Sequence, residues 1–159
     1  MFNVWILNNN TERYFSANDN SVLQFFMETK AQNLGRLGEE TAVRYLKNRG
    51  HKILARNYAK IGSWGRQFGE IDIITKKNGV IHFVEIKTSI DAKGTAGNLF
   101  TPESRVNSLK QRKLLKTAQI WLIENKISLD CAWQMDILSV FADIENKKAK
   151  VRYFENITA

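Results

Sequence analysis

The chain has 159 residues, of which 43% are hydrophobic and 25% are charged, a balance typical of an ordinary soluble globular protein. Its 24 lysines and arginines outnumber its 16 aspartates and glutamates, and the net charge of +8 favours polyanionic partners, nucleic acid first and acidic membrane surfaces second. The single cysteine, Cys131, excludes a disulfide framework and a cysteine-rich zinc site. With no basic signal-peptide segment at the N-terminus and no apolar run of membrane-spanning length, we predict a cytoplasmic protein that does not enter a membrane.

Residues 1–32 differ in character from the rest of the chain. They are rich in asparagine, and their aromatic residues follow no regular spacing. Either they form an edge strand at Phe2–Leu7 and a short helix at Ser21–Thr29, or they are loosely attached. We therefore treat residues 1–32 as an N-terminal extension and residues 33–159 as the main domain.

The main domain is predicted to contain a helix, three strands, a second helix and two further strands. Gly50 ends the first helix, because glycine readily adopts the left-handed conformation that follows a helix. The second helix begins at Thr101-Pro102-Glu103, with an N-cap, a proline at the first helical position and an acid in the first turn. This order predicts an α/β fold with a central mixed sheet flanked by helices. The helices are expected at 33–48 and 101–125, and the strands at 51–59, 68–75, 80–88, 133–141 and 150–157.

The second and third strands form a predicted hairpin, with FGEIDIIT at 68–75 and VIHFVEIKT at 80–88. Asn78-Gly79 between them favours a type I′ turn, whose two loop positions both need positive φ. Both strands carry apolar residues on both faces, which indicates that they are central in the sheet and buried on both sides.

A two-residue turn sets Asp72 opposite Glu85 and Glu70 opposite Lys87. Opposed side chains share a sheet face, with Cβ atoms about 4.5–5.5 Å apart. A three-residue turn would instead pair Asp72 with Val84 and send Glu85 to the other face. The register of the turn therefore decides whether the two acids can form one site.

Two carboxylates placed opposite each other repel unless a proton or a cation lies between them. Hard oxygen ligands from Asp72 and Glu85 suit Mg²⁺ or Mn²⁺, and such a cation polarises a phosphoryl oxygen and helps to generate hydroxide. Lys87 would hold the attacking water or stabilise the charge that develops on the phosphorane. This set predicts hydrolysis of a phosphodiester. The alternative is a Glu70–Lys87 salt bridge, with Asp72 and Glu85 reaching water at the sheet edge.

Glu39 is the further acid that the pattern singles out. It precedes Ala42 and Leu46 by three and seven residues, which places it on the buried face of the first helix. A carboxylate on such a face is paired or bound to a metal. Glu39 is therefore either a third metal ligand or the ion-pair partner of a residue such as Lys87 or Arg56.

Four residues are candidates for contacts with the nucleic-acid backbone: Lys110, Gln111, Lys93 and Arg56. Lys110 and Gln111 lie on the second helix, and Lys93 lies in the glycine-rich loop 89–100, a candidate for a mobile segment that contacts substrate. An ordinary solvated helix surface is the alternative for the helical lysine. His51 and His82 are predicted to be structural, because His82 falls on the face opposite Glu85 and no other histidine is placed to form a ligand pair.

Six motifs follow one another along residues 33–141: Gly35-x-x-Gly38-Glu39-x-x-Ala42, Ile53-Leu54-Ala55-Arg56-Asn57, Gly69-Glu70-Ile71-Asp72, Phe83-Val84-Glu85-Ile86-Lys87, Val106-x-x-x-Lys110-Gln111 and Met135-Asp136. In this order they resemble the YraN-type family of predicted bacterial endonucleases. The resemblance implies a restriction-endonuclease-like αβββαβ core of the PD-(D/E)xK group, related to Holliday junction resolvases, with a Mg²⁺-dependent nuclease site. It assigns the family's helical glutamate to Glu39, its metal-binding aspartate to Asp72, and its E-x-K pair to Glu85 and Lys87.

We therefore predict a Mg²⁺- or Mn²⁺-dependent endonuclease that acts on nucleic acid, with DNA favoured over RNA, and with branched DNA and a homodimeric active unit as candidates. The alternative is a non-catalytic nucleic-acid-binding module on the same fold, which the clustered carboxylates disfavour. The chain departs from the family in its longer loop at 62–67 and in its first 30 residues, which have no counterpart there.

Overall fold

The computed structural model describes residues 2–8, 11–17, 30–61, 67–90 and 108–157. Within these ranges the chain forms seven strands and two helices. In chain order the elements are β1 (Phe2–Asn8), β2 (Thr11–Ala17), α1 (Lys30–Asn48), β3 (Lys52–Ile61), β4 (Gln67–Lys77), β5 (Val80–Ile90), α2 (Ser108–Glu124), β6 (Trp133–Asp143) and β7 (Lys148–Phe154).

From α1 onward the order of elements is the predicted one, and it defines an α/β protein with an αβββαβ core followed by β7. The first helix ends where expected, because Gly50 takes a φ of 82° and its N–H donates to the Lys47 carbonyl at 3.0 Å. Three predicted features lie outside the described residues: the helix at Ser21–Thr29, the start of the second helix at Thr101, and Lys93 with most of its loop.

The seven strands form one mixed sheet in the order β2-β1-β7-β6-β5-β4-β3. β1 pairs with β2 in antiparallel fashion and with β7 in parallel fashion. The prediction of an edge strand at Phe2–Leu7 is therefore wrong in its placement: β1 has a partner on each side, and β2, which the sequence did not reveal, takes the edge. The domain boundary at residue 32 stays a prediction.

The contacts between Cα atoms divide the chain into two compact units. The first unit comprises residues 1–46, 86–100 and 138–153, and the second comprises residues 47–85, 101–137 and 154–159. Within the described ranges, no helix has the length and apolar character needed to cross a membrane.

The first unit is packed around the C-terminal half of α1. Ala42 and Leu46 are fully buried there, Glu39 on the same face is half-buried, and Glu40 is exposed. The predicted orientation of the helix is therefore confirmed. Gly38 permits a close approach in this unit, since a Cβ atom at that position would lie 1.8 Å from the Thr88 hydroxyl oxygen.

The second unit is built on the β4–β5 hairpin. One apolar cluster joins the hairpin to α2 and β6, and Phe83 meets Trp121 edge to face with ring centroids 5.8 Å apart. Ile73 and Val84 are also fully buried, so the prediction that these strands are central and covered on both faces is confirmed. The buried members of the cluster are Ile71, Ile74, Ile81, Phe83, Leu114, Ala118, Trp121, Leu122 and Met135.

Gly69 determines how closely α2 lies on β4. A Cβ atom at this position would be 2.7 Å from the Thr117 hydroxyl oxygen and 3.2 Å from the Lys113 carbonyl oxygen. The Thr117 hydroxyl in turn donates to that carbonyl at 2.9 Å, which holds it against the helix. Only glycine permits this approach without a shift of the helix. The approach brings the first turns of α2 beside the N-terminal end of β4.

Candidate active site

The turn of the hairpin has the predicted geometry. Asn78 and Gly79 take φ values of 49° and 83°, as a type I′ turn requires. The pairing register runs from Lys77↔Val80 to Ile73↔Val84. The two-residue turn is therefore confirmed, and the three-residue alternative, which would pair Asp72 with Val84, is excluded.

Asp72 and Glu85 lie one position beyond Ile73 and Val84, the last residues of the paired register. Both line one pocket of about 540 Å³. Glu85 is buried, Asp72 is half-buried, and Glu70 on the same pocket wall is exposed. The described residues that line the pocket are Gly69, Glu70, Asp72, Glu85, Lys110, Lys113 and Leu114. The hairpin thus brings the predicted acid pair to a single concave surface.

Lys110 ion-pairs with Glu85. Its ammonium group donates to Glu85 Oε1, and the exposed fractions of the two side chains are 42% and 7%. Burial of a carboxylate is costly without such a partner, which explains why a lysine reaches into this end of the pocket. Sequence reasoning assigned Lys110 to nucleic acid and missed this contact. The spacing of four residues between Lys110 and the buried Leu114 was the signal that could have revealed it.

The donor set fits a hard divalent cation of the magnesium type. Among the described residues, there is no group of three or more histidine, cysteine, aspartate or glutamate side chains that could hold a metal ion. Mg²⁺ does not need one, because it is usually held by one or two carboxylates, with waters and substrate phosphates completing its shell. Asp72 and Glu85 supply two carboxylates on an open pocket.

Lys87 and Glu39 belong to the first compact unit. Lys87 follows Glu85 by two positions on β5, so the two side chains leave the strand on the same face, and Lys87 is half-buried. Glu39 lies on α1. The catalytic role of Lys87 and the ligand role of Glu39 stay predictions.

Besides Lys110, two more of the residues predicted to contact nucleic acid lie in the described part of the second unit. Gln111 is half-buried on α2, and Arg56 is exposed on β3. Lys113, which sequence reasoning did not single out, lines the pocket one turn after Lys110 and is exposed. Lysines from one helix turn therefore add positive charge beside the acid pair.

The histidines occupy a separate buried cluster. Nδ1 of His82 donates to Asp136 Oδ2 at 2.7 Å, and the rings of His82 and His51 meet edge to face with centroids 4.8 Å apart. The sequence did not reveal this contact between the two histidine rings. The cause is the sheet register: β4 places Thr75 opposite His82, and the Thr75 hydroxyl is 3.0 Å from His51 Nδ1.

Burial lowers the pKa of His51 from 6.5 to about 4, and the nearby positive charges of His82 and Lys77 act in the same direction. Asp136 also accepts hydrogen bonds from the Gln134 amide at 2.8 Å and from the Asn156 backbone N–H at 2.9 Å. These contacts tie the C-terminal segment to β6, which supports a structural role for the cluster.

The fold and the pocket define an α/β protein in which a buried and a half-buried carboxylate, Glu85 and Asp72, line one pocket beside a central hairpin. Residues 38–140 match the model of an uncharacterised protein family, UPF0102, and the chain belongs to that family. The chain is 36% identical to a UPF0102 protein of Alkaliphilus oremlandii over 125 residues, which are 79% of this chain and 97% of the relative. It is 35% identical to one of Campylobacter jejuni subsp. doylei over 132 residues, 83% of this chain and 99% of the relative. The match supports the YraN-type resemblance at the level of the family.

Proposed function

We propose that the protein is a metal-dependent nuclease that hydrolyses phosphodiester bonds in nucleic acid, with DNA as its main substrate. The observation that carries the proposal is the convergence of Asp72 and Glu85 on a pocket that also contains Lys110 and Lys113. Carboxylates repel phosphates, so a surface that only binds nucleic acid gains nothing from them. A divalent cation between them turns the same pocket into a phosphoryl-binding site.

In this proposal, Asp72 and Glu85 hold Mg²⁺ or Mn²⁺, with Glu39 as a further ligand, directly or through water. When bound, the cation supplies polarisation of the phosphoryl oxygen and a more acidic water. Lys87 occupies the second position of the E-x-K pair and orients the attacking water or stabilises charge on the phosphorane. Basic side chains around the acid pair hold the phosphate backbone of the nucleic acid.

A non-catalytic nucleic-acid-binding module is the second candidate, and one observation favours it. Because Lys110 neutralises Glu85, the pocket repels phosphate less than its acidic residues alone would. The two candidates differ in a measurable way: a binding module retains nucleic acid without metal and never cuts it.

The deciding experiment is a cleavage assay on linear, flapped and branched DNA, and on RNA of the same shapes, with Mg²⁺, Mn²⁺ or a chelator. Wild type is compared with Asp72→Ala and Lys87→Ala, and Glu70→Gln serves as a matched change of an exposed pocket acid. We expect the two site variants to lose about a thousandfold in rate or more, and Glu70→Gln to lose less than about tenfold. Binding without cutting would favour the binding module, and cutting that survives both site substitutions would refute the assignment of the site.

A further inference from the structure

We infer that Lys110 is a built-in competitor of the divalent cation: it neutralises Glu85 in the metal-free protein and is displaced from it when the metal binds. The displaced ammonium group then becomes available to a phosphate of the nucleic acid. The inference rests on the proposed function, because it takes Glu85 to be a metal ligand.

The side chains of Glu85 and Lys110 differ in mobility. Glu85 is on a central strand and its side chain is 7% exposed, so its carboxylate has a fixed position. Lys110 reaches it from α2 on a four-carbon stem, and 42% of its side chain is exposed. The carboxylate can therefore exchange one cation for another without any movement of the strand.

A divalent cation and the Lys110 ammonium group exclude each other electrostatically within the pocket. The Lys110 ammonium group donates to Oε1 of Glu85, and Asp72 lines the same pocket. A divalent ion held by these two carboxylates would lie within a few ångströms of the ammonium group and would repel it strongly in a partly buried site. Metal and lysine thus compete for one carboxylate.

The helix α2 has little freedom to withdraw from the pocket as a whole. Leu114 is buried in the apolar cluster, and the close contact at Gly69 seats the Lys113–Thr117 turn on β4. Displacement therefore moves the Lys110 side chain, which stays at the pocket mouth. Binding of the metal and binding of phosphate therefore become linked. The bound cation adds its own positive charge to the pocket, and the ammonium group of Lys110 that it displaces becomes a second positive charge that can bind phosphate.

The experiment measures Mn²⁺ affinity at one pH without nucleic acid, by calorimetry and by the electron paramagnetic resonance of free Mn²⁺. The variants are Lys110→Met, Lys110→Gln, Lys110→Arg and the matched control Lys113→Met, which removes the same charge from the same pocket. We expect Lys110→Met and Lys110→Gln to bind Mn²⁺ about tenfold more tightly than wild type does. This factor is at the low end of the range for removal of a hydrogen bond to a charged group, because the lysine is partly exposed. Lys110→Arg should bind no more tightly than wild type, and Lys113→Met should gain less than about threefold.

A measurement on unmutated protein guards against variants that fold poorly. With lysine ¹³C labelling, Mg²⁺ titration should shift the side-chain signal of Lys110 and leave that of Lys113 nearly unchanged. Equal Mn²⁺ affinity in wild type and the neutral Lys110 variants, or equal gains at positions 110 and 113, would overturn the inference and leave the proposed metal site intact. Absence of Mn²⁺ binding in every variant would overturn both, whereas binding that is detectable only in the neutral Lys110 variants would support the inference.

Discussion

The acid pocket and the histidine cluster meet the same physical problem in different ways. Each contains a carboxylate that is nearly excluded from solvent: the side chain of Glu85 is 7% exposed and that of Asp136 is fully buried. Asp136 accepts hydrogen bonds from a histidine ring, an amide and a backbone N–H, all of them held in place by the sheet and the adjoining segment. Glu85 is neutralised by a long, partly exposed lysine.

The difference distinguishes a buried carboxylate with fixed partners from one whose partner is a long, partly exposed side chain. Fixed donors make the Asp136 cluster rigid and costly to alter, because removal of one partner leaves a buried polar group unsatisfied. Glu85 is paired instead with a lysine on a flexible stem whose side chain is 42% exposed. Burial alone therefore does not distinguish the two carboxylates, whereas the mobility of their partners does.

The largest expected effect on stability tests this contrast directly. Asp136→Asn should lower the free energy of unfolding by about 3 kcal/mol, because it removes a buried carboxylate that accepts several hydrogen bonds. Glu85→Gln should cost about 1 kcal/mol, since Lys110 can turn to solvent. Urea unfolding of both variants beside wild type measures the difference. Equal losses would show that the lysine is held as rigidly as the histidine and would break the comparison.

The pH dependence of stability is the next largest expected effect. The pKa of His51 is about 4 in the folded protein and 6.5 when exposed, so the unfolded chain binds more protons between these values. The stabilisation is complete above pH 6.5 and is lost as the pH falls towards 4. Between pH 7 and pH 5 the free energy of unfolding should fall by about 2 kcal/mol.

His51→Gln is the matched variant for this prediction, because glutamine keeps a polar side chain beside Thr75 and does not titrate. Urea unfolding at several pH values between 5 and 7 should show a much flatter dependence for the variant than for wild type. If the free energy of unfolding of the variant depended on pH as steeply as that of wild type, other groups would cause the pH dependence, and the prediction for His51 would be wrong.

The smallest expected effect concerns the contact that seats α2. Gly69→Ala should destabilise the protein by about 1–2 kcal/mol, because the added Cβ meets Thr117 and the Lys113 carbonyl. Gly35→Ala is the matched control: its Cβ would have no neighbour within 4 Å, and alanine favours the helix by about 0.5–1 kcal/mol. Thermal and urea unfolding measure both changes. A neutral Gly69→Ala variant would mean that α2 shifts freely and that the pocket can adjust with it.

The hairpin was predictable because its determinants are local. Asn78-Gly79 sets the turn, and alternation along the strands then places Asp72 and Glu85 on one face. The helix face on which Glu39 lies was equally predictable from the sequence, since it depends only on the spacing to Ala42 and Leu46. These features need no knowledge of how distant segments pack.

The remaining features depend on distant segments. The ion pair between Lys110 and Glu85 requires the position of α2 on β4, which the Gly69 contact sets. The contact between His51 and His82 requires the register of three strands, including the shift that β3 makes between Ile53 and Ala55. Single-strand patterns contain neither kind of information, so the structural role of the histidines was predicted while their mutual contact was missed.

One consequence of the Asn78-Gly79 turn concerns errors in folding. His82 and Glu85 are three residues apart on β5, so they leave the strand on opposite faces, and a slip of one residue would exchange those faces. Such a slip would take Glu85 from the pocket and His82 from Asp136 at the same moment. A chain with this slip would therefore lose the buried contact of His82 and the pocket position of Glu85 together. The Asn78-Gly79 turn therefore protects the buried polar cluster and the acid pair against the same register error.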